Sequence, residues 1–268
     1  MNQQRHLLAG KVAVIYGASG AVGRTIALAF AREGAKVFLS GLRLAEVTLV
    51  AQEISSAGGS AEAAEVDALD EAAVETYVQG IFEKTGQIDI SFNAIGIPQE
   101  GIQGIWLTEL PVERFTFPIM TYTKSHFITS RAAARRMTKR GSGVILMHTP
   151  EPAALAMPHM GGMSPAWAAL EALSRDLSVE LAPQGIRAIC LRTTGLPETK
   201  TIEVVFDLHA RAMGITRREF QGLAESMSHT KRSTTLAELA NAAVFAASDL
   251  SSGMTGAIIN LTGGTIVD

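Results

Sequence analysis

The chain has 268 residues, 47% of them apolar and 18% charged, with a net charge of −3. It is long enough to bury a core unaided, and its single cysteine, Cys190, excludes an internal disulfide or a Cys-based metal cluster. A sequence pI near 6.1 gives no basic field for nucleic acid, and no run approaches the ~18 apolar residues of a membrane span.

Met1–Ala9 has only Leu7, Leu8 and Ala9 ahead of Gly10 and Lys11, so no signal-peptide core is expected and a cytoplasmic chain is. After it, short Val- and Ile-rich runs alternate with stretches of helical period. Strands are expected at Val12–Tyr16, Lys36–Ser40, Ala61–Val66, Ile88–Phe92, Val144–His148, Arg187–Arg192 and Ala257–Leu261. Helices are expected at Arg24–Glu33, Leu44–Ser56, Asp70–Lys84, from Pro111 to about Arg140, and at Ala166–Leu181. Gly34, Gly58, Gly86 and the Pro183–Gly185 pair punctuate them. This alternation predicts parallel βαβ units: an α/β, Rossmann-type doubly wound sheet with helices on both faces. No repeat or linker splits residues 1–268, so a single domain is expected. Residues 196–232 are the least patterned and too long for a bare connection, which makes them a helical insert acting as a substrate lid.

Tyr16-Gly-Ala-Ser-Gly-Ala-Val-Gly23 falls between the first strand and the first helix. Glycines at 17, 20 and 23 allow a tight turn and close approach of a pyrophosphate to free amides at the helix start. A three-glycine turn alone is a weak signal, and its place inside the first βαβ unit strengthens it. The second strand ends Ser40-Gly-Leu-Arg43, with a cation where an acid would grip a ribose 2′-hydroxyl. Arg43 facing a 2′-phosphate favours NADP(H) over NAD(H). Arg43 as a solvated residue at a helix start is the alternative.

These features resemble the short-chain dehydrogenase/reductase family from about Lys11 to Gly264. Asp67 stands where the family's aspartate meets adenine, and Asn93-Ala-Ile-Gly96 stands at its Asn-Asn-Ala-Gly turn. Ile186-Arg187, Phe245-Ala-Ala-Ser248, Thr255-Gly256 and Gly263-Gly264 match its later segments. The cofactor set so implied is Gly17, Ser19, Gly20, Val22, Gly23, Arg43, Asp67, Asn93, Gly96 and Thr199. The resemblance also implies a homodimer or homotetramer packed through helices near 111–140 and 166–181.

The family's Tyr–Lys chemistry is not carried over. In the register set by Ala168–Leu173, Met163 takes the Tyr position and Trp167 the Lys position. Pro150 takes the Ser position, and Tyr122 the helix Asn position. Tyrosines occur only at 16, 77 and 122, and no lysine lies between 140 and 199, so no shifted register restores the pair. Thr193-Thr194 replaces a Pro-Gly that helps seat the nicotinamide.

His148 and Tyr122 are the candidate catalytic residues, with Thr149, Glu151, His159 and Met163 forming a substrate pocket. His148 near a strand end suits a small-molecule site, and it also reads as an ordinary satisfied histidine. Hydride transfer to an activated C=N or C=C bond of a largely apolar molecule needs less acid assistance than ketone reduction. The competing expectation is a non-redox protein: a silent binding subunit, or a cyclase or lyase. No His, Asp or Glu spacing suggests a metal. Arg131, Arg135, Arg136, Lys139 and Arg140 read as a solvated face or oligomer contact.

Overall fold

Val12–Tyr16 (β1) is buried at every position, as a central parallel strand covered on both faces must be. The structure, a computed structural model, describes residues 6–267; residues 1–5 of the Met1–Ala9 stretch, and Asp268, lie outside the described residues. After β1 come Ala21–Arg32 (α1), Lys36–Gly41 (β2), Leu44–Ser56 (α2), Ser60–Glu65 (β3), Glu71–Thr85 (α3) and Ile90–Asn93 (β4). Then follow Val112–Met137 (α4), Gly143–Pro150 (β5), Met163–Leu181 (α5) and Ile186–Thr193 (β6). Lys200–Met213 (α6), Arg217–Met227 (α7), Leu236–Ala247 (α8) and Ala257–Leu261 (β7) complete the order.

Among the described residues, all seven strands pair in parallel in the order β3-β2-β1-β4-β5-β6-β7. The chain is therefore a single-domain, doubly wound α/β fold. Alternation along β1 sends Ala13 and Ile15 to one core, with Ile26, Phe30, Val47 and Leu239 from α1, α2 and α8. Val12, Val14 and Tyr16 face the other core, with Val78, Ile128, Ala132 and Leu170 from α3, α4 and α5. Strand order reverses between β1 and β4, so a crevice opens at their carboxyl ends, where such sheets hold ligands.

Three local expectations change. α1 and α5 begin three residues earlier than their apolar periodicity indicates, because glycine and methionine can enter a first turn. The Ala-rich stretch that forms α8 carries little amphipathic contrast and is a helix not anticipated; Thr235 and Glu238 start it with a capping box. The basic run on α4 changes only in part, since Arg135, Lys139 and Arg140 stay exposed. Arg131 pairs with Glu71, while Arg135 and Arg136 share Glu75, tying α4 to α3.

Behind the crevice, Glu171 of α5 and Arg192 of β6 form a bidentate ion pair at 2.8 and 2.6 Å, both nearly inaccessible. Thr149 donates to the same carboxylate at 2.9 Å. Such a pair is costly to break, because the survivor stays buried without its counter-charge. Glu171→Gln is expected to lower unfolding free energy by about 3 kcal/mol in a urea titration. A loss below about 1 kcal/mol would mean that Arg192 re-solvates.

Candidate cofactor cleft and active site

The crevice is a cleft of about 630 Å³ that runs from the β1–α1 turn, past the ends of β4 and β5, to α6 and α7. Gly17 has φ +66°, and a Cβ there would stand 2.6 Å from the Ala94 carbonyl oxygen. A Cβ on Gly23 would come 2.5 Å from the Gly17 oxygen. Both positions exclude side chains, which keeps the turn tight; the Ala18 and Gly20 amides are taken by the Ser40 and Gly17 carbonyls, so the amides left for a ligand are those at the start of α1. Gly20 caps α1 with no side-chain hydrogen bond, so the helix start is not capped by the protein's own oxygens. Gly17, Ser19, Gly20 and Val22 line the cleft, while Gly23 stands behind them and supports the turn. This cradle fits a dinucleotide pyrophosphate.

At the next stretch of wall, Gly41, Leu42 and Arg43 face Val66, Asp67 and Ala68. Asp67 is exposed and accepts the Leu69 amide at 2.8 Å, which fixes the turn after β3. Arg43 is also exposed, and its guanidinium holds Glu46 at 2.5 Å, one turn along α2. That carboxylate holds the guanidinium above its ordinary pKa, and Arg43 in turn lowers Glu46. Arg43 thus lies beside the cofactor cradle but is engaged by a neighbour. Asn93 is buried at the end of β4; its amide donates to Thr129 at 3.2 Å and its oxygen accepts Ile95 at 3.0 Å. Gly96 and Thr199 line the wall beyond, and Thr199 also caps α6 by accepting Ile202.

The inner end joins Tyr122 and His126 of α4, His148 at the end of β5, and Glu151 just past it. Among the described residues lining the cleft there is one tyrosine and no lysine. Burial raises the Tyr122 phenol well above its ordinary range, opposed by a backbone hydrogen bond at Ile97. Burial lowers His126 to about 4, against hydrogen bonds with backbone at Tyr122 and Asn93. Burial, then the nearby His126, lowers His148 to about 4, and its Nε2 meets the Thr193 hydroxyl at 2.9 Å. Both imidazoles are therefore neutral at physiological pH and able to act as hydrogen-bond partners. Burial raises the Glu151 carboxyl to about 7.

Of the residues assigned to a substrate pocket, Met163 and Glu151 line the cleft. Thr149 and His159 do not lie on its wall. Thr149 turns back to Glu171, and His159, in a left-handed turn at φ +61°, packs its ring 4.2 Å from Trp106. Sequence reasoning missed His126, Gln103 and His209. His209 of α6 bonds Gln103 at 2.9 Å and stacks on Phe220 of α7 with centroids 5.3 Å apart. Burial and the nearby His159 lower it to about 4. The clue to this trio was slight: α6 shows one apolar face, and His209 falls on it.

Residues 17–265 match the family model described as Enoyl-(Acyl carrier protein) reductase. An uncharacterized oxidoreductase of Thermotoga maritima is 32% identical over 259 residues, covering 96% of this chain and 97% of that one. The L-rhamnose 1-dehydrogenase (NAD(P)(+)) of Azotobacter vinelandii is 29% identical, covering 98% and 99%. Among solved structures, sorbitol-6-phosphate 2-dehydrogenase SrlD of Erwinia amylovora superposes with a TM-score of 0.89 at 25% identity, covering 96% of this chain and all of that one. Glycine cradle, strand order and full-length likeness agree: the chain belongs to the short-chain dehydrogenase/reductase family of nicotinamide-dependent oxidoreductases.

Proposed function

We propose that this chain is an NADP(H)-dependent reductase that acts on an activated C=N or C=C bond of a largely apolar small molecule, without the family's Tyr–Lys pair. The observation that carries the reading is one cleft with two unlike ends. Its outer end keeps the glycine cradle, Asp67 and the Asn93–Gly96 turn, while Met157, Met160, Met163 and Trp167 line the inner end. A bound dihydronicotinamide supplies the hydride. The methionines and Trp167 exclude water and favour an apolar substrate. His148 and Tyr122, both uncharged at neutral pH, orient the acceptor group by hydrogen bonding rather than by full proton transfer. Residues 196–232, folded as α6 and α7, act as the lid, with Phe206, His209 and Phe220 facing the cleft. The domain assignment 1–268 and a homodimer or homotetramer through α4 and α5 belong to the same proposal, and Phe117, Met120 and Phe127 are exposed on α4.

Titration with NADPH and NADH tests the cofactor assignment. NADPH should bind at micromolar concentration and more tightly than NADH. Arg43→Ala should weaken NADPH roughly tenfold and leave NADH unchanged. Because Glu46 competes for Arg43, Glu46→Gln should tighten NADPH about twofold to fivefold. Binding of NADH alone overturns the Arg43 role, and binding of neither favours the non-redox alternative.

His148→Ala and Tyr122→Phe should each lower turnover of imine or enone by roughly tenfold. Unchanged turnover in both removes them from the chemistry. Limited proteolysis should show cleavage within 196–232 that NADPH suppresses; an unaltered pattern removes the lid.

A further inference from the structure

Glu151 is the one acidic residue buried in the cleft wall among the described residues; Asp67 is exposed and Glu225 is half-buried. Only 7% of it is accessible, and its Oε2 has no hydrogen-bond partner. Prolines 150 and 152 flank it, and its carbonyl accepts the amides of Ala154 at 3.0 Å and Leu155 at 2.9 Å. The backbone that carries this carboxyl is therefore held rigidly at the mouth of β5. Met157 and Met160 share its wall, and an isolated charge in such surroundings is strongly disfavoured.

A buried carboxyl with one oxygen left unpartnered in a ligand cleft suits either a proton or a cationic ligand. We propose that Glu151 is the proton donor of this site and that the substrate it serves is an imine. The inference rests on the reductive reading above. The O–H bond of the Glu151 carboxyl breaks as an N–H bond forms on the imine nitrogen, leaving a carboxylate opposite an iminium cation. The iminium carbon would then accept the hydride that a bound dihydronicotinamide would supply, its π pair passing to nitrogen. The products would be an amine and an oxidised nicotinamide, and water would return a proton to Glu151 when the amine leaves.

Proton affinities select the imine. An imine nitrogen is basic enough to accept a proton from a carboxylic acid before hydride arrives, whereas a carbonyl oxygen or alkene carbon is not. Burial holds the Glu151 carboxyl protonated up to about pH 7, opposed only by its own backbone amide. The other groups do not match this role. His126, His148 and His209 stay neutral down to about pH 4, and the Tyr122 phenol is held protonated well beyond neutrality. On the packed elements, Glu171 of α5 is taken by Arg192 of β6. The carboxylate left after transfer therefore gains most from a cationic substrate.

The first test needs no cofactor. The infrared spectrum of wild type minus Glu151→Gln should contain a protonated carboxyl stretch that disappears as pH rises through about 7. With NADPH and a dihydroisoquinoline, Glu151→Gln should lower kcat about 100-fold at unchanged NADPH affinity. Glu151→Asp should recover part of the loss, and wild-type kcat should fall on the alkaline side of neutrality. A missing carboxyl band, or full turnover by Glu151→Gln, overturns the donor assignment. Faster turnover of cyclohexenone than of the imine overturns the substrate class. NADPH bound but consumed with neither compound, while the band persists, overturns the reductive reading instead and takes the donor role with it.

Discussion

The approach of Gly17 to the Ala94 backbone is the contact on which the rest of the site depends. With room for no Cβ, the β1 turn packs directly against the turn after β4 at the point where strand order reverses. That packing brings the amides of the α1 start, the Asn93–Gly96 turn and the mouth of β5 to one cleft. A side chain at 17 would wedge these turns apart and separate the cofactor cradle from the inner pocket. Stability elsewhere rests on apolar burial spread over two cores, which tolerates local change better than this single backbone contact does.

Burial then sets which protonation states the inner end holds. The inner end of the cleft carries Tyr122, His126, His148 and Glu151, and burial pushes each toward its uncharged form. The same physical cause gives different outcomes by residue type. Histidines become neutral partners at physiological pH, the phenol becomes a poor acid, and the carboxyl alone has its pKa moved toward neutral pH. A site without a buried cation can still handle a proton, provided its acid is a carboxyl that burial keeps protonated.

Much of the fold was legible because its signals are local. The buried run Val12–Tyr16, the glycines at 17, 20 and 23, and the βαβ alternation each declare themselves within about thirty residues. The site was less legible because its partners are distant. Thr149 reads as a pocket hydroxyl until Glu171 and Arg192 are brought beside it by α5 and β6. His159 reads as a pocket histidine until a left-handed turn lays it against Trp106. Glu151 was legible as a position but not as an acid, since no sequence pattern tells that one carboxylate oxygen is left without a partner. α8 was hidden for a different reason: alanine favours helix strongly but marks no face.

The two ends of the cleft therefore obey different electrostatics. Around Arg43, Glu46 and Asp67 the charges are exposed, screened by salt and easily exchanged between partners, so on the proposed reading selection there depends on which anion competes best for one guanidinium. Around Glu151 the medium is apolar and the backbone fixed, so selection depends on proton affinity rather than on net charge. A change of ionic strength acts mainly on the first end and a change of pH mainly on the second. Because the β1–α1 turn and the mouth of β5 reach the cleft from different strands of the sheet, the proposed cofactor grip and proton supply can vary independently on this scaffold. On the proposed reading, that separation lets a chain keep the family's glycine cradle while its inner wall takes on a different acid.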